Sequence, residues 1–208
     1  MKIFALLCFF GLLVSSLYAG VGTIVFTKGD VFLLRGNQQT PAIVGSKLQE
    51  KDTITTKAAS LVKLLLEDKS AISIGANSDF SIEKYLFGEK KNSQAKFKMN
   101  KGVFRMITGK IAKIRPDKFK LKTRTVTIGI RGTIFSGTIK KAKEEIFCEH
   151  GEIYVSSQGV TEDVKKGYKT SVTPGKAPSK AKPYFAIELD EIHGQVSSWK
   201  DKKCTEAF

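Results

Sequence analysis

The run VTIGIRGTIFSG, Val126–Gly137, decides the fold. Val126, Thr127, Ile128, Ile130, Thr133, Ile134 and Phe135 are β-branched or aromatic, a composition suited to a pleated, half-buried surface. On a strand Val126, Ile128 and Ile130 share one face, and Thr127, Gly129 and Arg131 the other. Gly129, Gly132 and Gly137 interrupt the run. A glycine inside a strand pattern marks a bulge, a bend or a close backbone approach. The run therefore reads as two short strands joined at a kink, Arg131-Gly132-Thr133, with one charge at the corner. These three residues are expected to be structural, Arg131 tying carbonyls at the bend with its fork of donors; the alternative is anion or ligand binding.

Just upstream, Lys118, Lys120, Lys122 and Arg124 alternate with Phe119, Leu121 and Thr123. On a strand the four cations project from one face while Phe119 and Leu121 face the core. The pattern is a candidate anion-binding face or a solvated outer face that guards against aggregation. Apolar residues then change phase, odd at Phe119 and Leu121 and even from Val126, so a bulge or turn is expected near Thr123–Thr125.

The same grammar extends in both directions. Thr23–Phe26 and Val31–Leu34 flank Lys28-Gly29-Asp30 as strand, tight turn, strand. Leu61–Leu66 and Ala71–Ile74 flank a turn at Glu67–Ser70, and Phe80 and Ile82 continue the alternation. Phe87–Asn100 is polar and charged and reads as an exposed loop or hairpin tip. Gly102–Arg115 follows, with a turn expected at Thr108-Gly109-Lys110. Glu145–Glu149 is expected to pair with Gly151–Val155 across a turn at His150-Gly151. Lys169–Pro183, with three prolines and several lysines, reads as a mobile or extended strap. Leu189, Ile192, Val196 and Trp199 recur at helical spacing, a short helix expected to pack on the β domain. The fold expected is mainly β: a solenoid-like or sandwich-like stack of short β-strands with a short C-terminal helix or strap.

Several of these elements, in this order, resemble the FecR-like domain family. The residues that carry the resemblance are Val44-Gly45, Leu48, Asp52, Ile54 and Thr56; Asp68-Lys69-Ser70; Ser78, Phe80 and Ile82; Phe119–Thr123; Ile130–Phe135; and the closing Val164 and Gly167. Arg124 replaces the family's usual proline, and Lys69 stands where it favours glycine. The match runs from about Gly22 to Tyr168. It implies a solenoid-like stack, with a compact sandwich as alternative, related to domains that sense or relay signals at the outer membrane. In the full family architecture a cytoplasmic segment contacts a sigma factor and a transmembrane helix carries the signal.

The N-terminus reads differently. Met1-Lys2, an apolar run over Ile3–Leu17 and Tyr18-Ala19-Gly20 have the layout of a secretory signal peptide cut near Ala19. The expected division is 1–19 signal peptide, 20–168 FecR-like β domain and 169–208 strap and helix. Export, to the periplasm, the cell envelope or the cell surface, disfavours sigma-factor regulation through the membrane. No second apolar run is long enough to span a bilayer.

The chain of 208 residues has a net charge of +15, which favours anionic partners. Export and the lack of nucleic-acid-binding motifs argue against nucleic acid. Cys148 and Cys204 would be the two cysteines left, and a Cys148–Cys204 disulfide is a candidate in an oxidising compartment. Asp52 and Asp68 suit backbone-bonded turns better than metal ligation. With His150 and His193 the only histidines, and no nucleophile or phosphate-loop motif, no enzyme, metal or cofactor is expected. The expected function is a non-catalytic exported binding or sensing module for an envelope protein or anionic glycan. The alternatives are a surface adhesin for acidic polysaccharide or host matrix, and a periplasmic regulator in a signalling pathway.

Overall fold

The computed structural model describes residues 20–88 and 91–197. The expected signal peptide, Trp199 and Cys204 lie outside the described residues. In chain order the strands are β1 (Gly22–Lys28), β2 (Val31–Arg35), β3 (Gln38–Pro41), β4 (Lys47–Leu48), β5 (Thr53–Thr56), β6 (Leu61–Leu66), β7 (Ala71–Ile74), β8 (Asp79–Leu86) and β9 (Gln94–Ile107). A short helix α1 (Lys110–Ile114) and a 3-10 turn (Pro116–Lys118) lead to β10 (Phe119–Lys122), β11 (Thr127–Ile139), β12 (Glu144–Ser157), β13 (Val160–Lys165), β14 (Tyr168–Val172) and β15 (Lys182–Pro183). Helix α2 (Ala186–Val196) follows.

One sheet runs through these strands and folds over on itself. The first layer has the order β3-β2-β5-β8-β9-β10-β11-β12-β13. The second has the order β4-β1-β6-β7-β9-β11-β12-β14-β15. The long strands β9, β11 and β12 belong to both. Strand β9 pairs with β8 and β10 through residue 101 and with β7 and β11 from residue 102. The expectation of a mainly β stack of short strands with a short C-terminal helix therefore holds, as one sheet whose strands are joined end to end across bends.

At each bend one residue has left-handed backbone. Gly29 (φ 70), Ala59 (φ 54), Asn77 (φ 53) and Gly102 (φ 109) mark the first edge; Gly132 (φ 60), Gly151 (φ 76) and Gly167 (φ 84) mark the opposite one. Glycine enters this region without steric cost. At three of these positions space demands it as well. A Cβ on Gly29 would overlap the Ser60 hydroxyl, one on Gly102 the Ser78 side chain, and one on Gly151 the Gly132 carbonyl oxygen. Gly132 has open space around it, so only its φ calls for glycine.

The apolar faces of the layers meet in one core. Phe97 stacks on Phe80 at 5.5 Å and meets Phe119 at 5.6 Å, while Phe104 meets Phe135 edge-on at 5.6 Å. Buried polar groups close both ends. Tyr85 donates its hydroxyl to Asp68 Oδ1 (3.1 Å), and Asp68 also accepts from Ser70 and from the Ile111 N–H of α1. At the other end Thr123 donates to Glu144. Asp52 accepts two bonds from Arg35, each 2.8 Å, and one from the Gln49 N–H at 2.7 Å. Both aspartates serve the backbone, as the turn reading holds.

Several local expectations are corrected. No hairpin forms at His150-Gly151; β12 continues through it, because β11 is long enough to pair with both halves. The turn at Lys28-Gly29-Asp30 is a crossing between layers, and β1 and β2 pair with other strands. The second half of the supposed polar loop at Phe87–Asn100 is strand: Ala95, Phe97 and Met99 are fully buried and alternate with polar residues. Beyond Thr108-Gly109 the chain makes helix α1, which buries Ile111 and Ala112. The start of the supposed strap is β14, with Thr170 and Val172 buried. Lys69 adopts φ 69 although it is not glycine.

Helix α2 lies on the outer face of the second layer, where Ile192 and Val196 pack with Val103 and Phe147. Ionic contacts hold it there. Lys169, 8 % exposed, lies between Glu188 of α2 and Glu145 of β12. Arg105 grips Glu149 with two donors (3.0 and 2.8 Å). His193 Nε2 stands 3.3 Å from the same carboxylate, close enough for an ion pair when the ring is protonated but outside hydrogen-bonding alignment. Burial alone would raise the Glu149 pKa, but His193 and Arg105 hold it below the usual carboxylate range. Glu145 is lowered in the same way, against burial, by Lys143 and Lys169.

Two outcomes are expected. Gly151→Ala should destabilise by about 2–4 kcal/mol, and Gly132→Ala by about 1–2 kcal/mol, since the second meets only the φ penalty. Denaturant midpoints at unchanged m-value check this. A carboxylate with a lowered folded pKa stabilises above its unfolded value, and that stability is lost as pH falls through the folded one. Acidification below about pH 4.3 should therefore loosen α2 before the sheet, read as loss of amide-exchange protection in residues 186–196.

Candidate functional site

The outer face of the second layer is partly roofed by α2, while at that of the first the 3-10 turn borders a cleft over β10, β11 and β12. Strand β10 sets the pattern on it. Phe119 and Leu121 are fully buried, so Lys120 and Lys122 face outward. Lys118 lies in the 3-10 turn, where it pairs with Asp117 at 3.6 Å, and Arg124 lies exposed in the turn after β10. The phase change falls where expected: Thr123 N–H donates to the Val126 carbonyl (2.9 Å), closing a turn between β10 and β11.

Sequence reasoning missed the neighbours of this ladder. Strand β9 runs parallel to β10, placing Lys96 beside Lys120 and Lys98 beside Lys122. Lys96, Lys120 and Lys122 are exposed and Lys98 is half-buried. None of the four forms an ion pair with the described residues. Lys84, beyond Lys96 on β8, is paired with Glu50 at 3.2 Å. The signal was present, since Lys96 and Lys98 alternate with Ala95, Phe97 and Met99 as Lys120 and Lys122 alternate with Phe119 and Leu121. The polar composition of the surrounding segment hid it.

Across the face the row of Lys96 and Lys120 continues through Gly129 to Tyr154. A cleft of about 370 Å³ opens here, lined by Pro116, Asp117, Lys120, Gly129, Arg131 and Tyr154. Arg131 is exposed and its guanidinium lies near the Tyr154 hydroxyl, which donates to Glu152 Oε2 at 3.0 Å. The Glu152 carboxylate pushes the Tyr154 pKa up, and Arg131 acts in the opposite direction. The bend at Gly132 is tied by Thr108, whose hydroxyl donates to the Thr133 carbonyl (2.9 Å) and accepts from the Thr133 N–H (3.0 Å). No sequence signal marked Thr108 for that part.

Cys148 is fully buried, with its thiol near the carbonyls of His150 and Gly151, and burial pushes its pKa up to about 11. Its expected partner Cys204 is outside the described residues. Among the described residues no three His, Cys, Asp or Glu side chains are grouped to hold a metal ion. No described helix is long and apolar enough to cross a membrane.

Residues 52–154 match the family model described as FecR protein. Two crystal structures of a proposed anti-sigma factor from Parabacteroides distasonis ATCC 8503 share the fold at a TM-score of 0.54 and 13% identity, over 66% of this chain and 62% of theirs. The chain thus spans less than two thirds of those neighbours. No curated protein matches it.

Like charges side by side across strands destabilise a sheet. Lys122→Glu, which turns the Lys98–Lys122 contact into an opposite-charge pair, should stabilise the fold by about 0.2–1 kcal/mol at low salt. The shift in unfolding midpoint should shrink as salt is added.

Proposed function

Starting from the FecR-type domain that this chain carries at residues 52–154, we propose that the protein is an exported, non-catalytic sensing or regulatory module of the cell envelope that binds an anionic glycan through the lysine face of its first layer. The observation that carries this reading is the uncompensated pair of rows, Lys96 beside Lys120 and Lys98 beside Lys122, on a rigid sheet. A solvated face of no function would gain stability from interspersed acids, as Lys84 does from Glu50. This face forgoes that gain and keeps a concentrated positive field, which draws in polyanions. Alternate strand residues point the same way about 7 Å apart, so the four ammonium groups offer a flat array to an extended chain of repeating charges. The apolar N-terminal run and the basic composition support export to an envelope rich in acidic polymers.

A protein partner is the second reading. It draws on the structural neighbours, which are proposed anti-sigma factors, and on the exposed edge strand β3, whose four residues are all accessible. An edge of that kind can accept a strand from another chain.

A salt titration separates the two. With polygalacturonate as probe, binding should weaken about tenfold or more between low salt and 0.5 M, where screening is nearly complete beyond a few Å. Lys120→Glu with Lys122→Glu should abolish it while the fold persists by circular dichroism. Binding that is insensitive to salt and to this double reversal would sink the glycan reading.

A further inference from the structure

Gly129 is a glycine the fold does not require. The pairing of β11 with β10 and β12 is in register there, with Lys120 opposite on one side and Tyr154 on the other. Its φ is not left-handed, and a Cβ built on it would meet only the Tyr154 side chain, at 3.9 Å, an ordinary contact. Glycine within a strand weakens it, so a fold requirement does not account for this one. What the missing side chain does is floor the cleft between Lys120, Arg131 and Tyr154.

We propose that this cleft seats a single carboxylated sugar residue, as a subsite of the glycan-binding face on whose reading it rests. Arg131 and Lys120 supply cations on adjoining strands, and a guanidinium fork matches a carboxylate with two parallel donors. Tyr154 gives an apolar ring edge with a polar tip, suited to the mixed faces of a pyranose. Asp117 at the rim accepts hydrogen bonds, now from Arg115 at 3.1 Å, and offers oxygen to sugar hydroxyls. Only with hydrogen at position 129 can a ring lie down on the strand backbone between Lys120 and Tyr154. The lysine rows hold the polymer by charge; the cleft reads one residue of it by shape.

The test uses the full chain with three probes: trigalacturonate, neutral galactotriose and polygalacturonate, by calorimetric titration at low salt. Trigalacturonate should bind and galactotriose should not. Gly129→Thr, which fills the floor with a strand-favouring residue, should weaken trigalacturonate about tenfold or more while leaving the melting temperature level or raised and polymer binding largely intact. Arg131→Gln, at an exposed position, should weaken the trisaccharide by a similar factor. Unchanged trisaccharide affinity in both variants, or equal affinity for the neutral sugar, overturns the proposal. A wild-type chain that binds polymer but no trisaccharide overturns the cleft and leaves the lysine face standing; one that binds neither overturns both.

Discussion

Left-handed backbone at the layer crossings is the constraint on which this structure depends. A sheet that folds over must turn its strands without stranding their N–H and C=O groups away from partners. Here the three central strands cross within the ladder itself, at Gly102, Gly132 and Gly151. Each crossing sacrifices little pairing, and its cost is concentrated in one residue's φ. Where a crossing is made by a loop instead, Ala59 and Asn77 take the left-handed conformation. Asparagine tolerates it through local side-chain bonds, while alanine carries a penalty of about 1–2 kcal/mol. Crowding adds to this at Gly29, Gly102 and Gly151, where neighbouring atoms stand in the place of a Cβ, while at Gly132 only the φ calls for glycine.

The folding-over also sorts the charges. Two aspartates are fully buried and spent on closing the ends and turns, Asp52 with Arg35 and Asp68 with Tyr85, Ser70 and α1. Glu145, Glu149 and Glu188 are committed to holding α2 against the second layer. These five acids are therefore engaged at turns, at the ends of the core or under α2, and none of them pairs with Lys96, Lys98, Lys120 or Lys122, which stand together on the outer face of the first layer.

Strand identity was legible wherever buried residues alternate strictly, as at Phe119-Lys120-Leu121-Lys122, because period two survives any surrounding composition. It was lost over residues 94–100, where the same alternation sits among polar residues and charge content outweighed periodicity. Pairing was less legible than strand identity. A glycine such as Gly151 serves a hairpin or an in-strand bend equally well, and only the length of the partner β11 decides between them. The same limit hid the lysine face. Lys120 and Lys122 were visible as a ladder, but their parallel neighbours Lys96 and Lys98 lie more than twenty residues away, and register is a tertiary fact.

Gly129 and Gly132 show where sequence reading ends. They stand three residues apart in one run, and as letters they carry the same message, a strand interrupted. In the structure they do opposite things. Gly132 turns the backbone, with φ 60 that other residues adopt at a cost, and the interruption it makes in the run is explained by that bend. Gly129 sits in regular ladder with room for a side chain it does not have. A residue that lowers strand stability without easing any strain must be accounted for by what happens at the surface it exposes. That surface is the cleft beside Arg131, so the motif's charged residue and its unneeded glycine face the same open space.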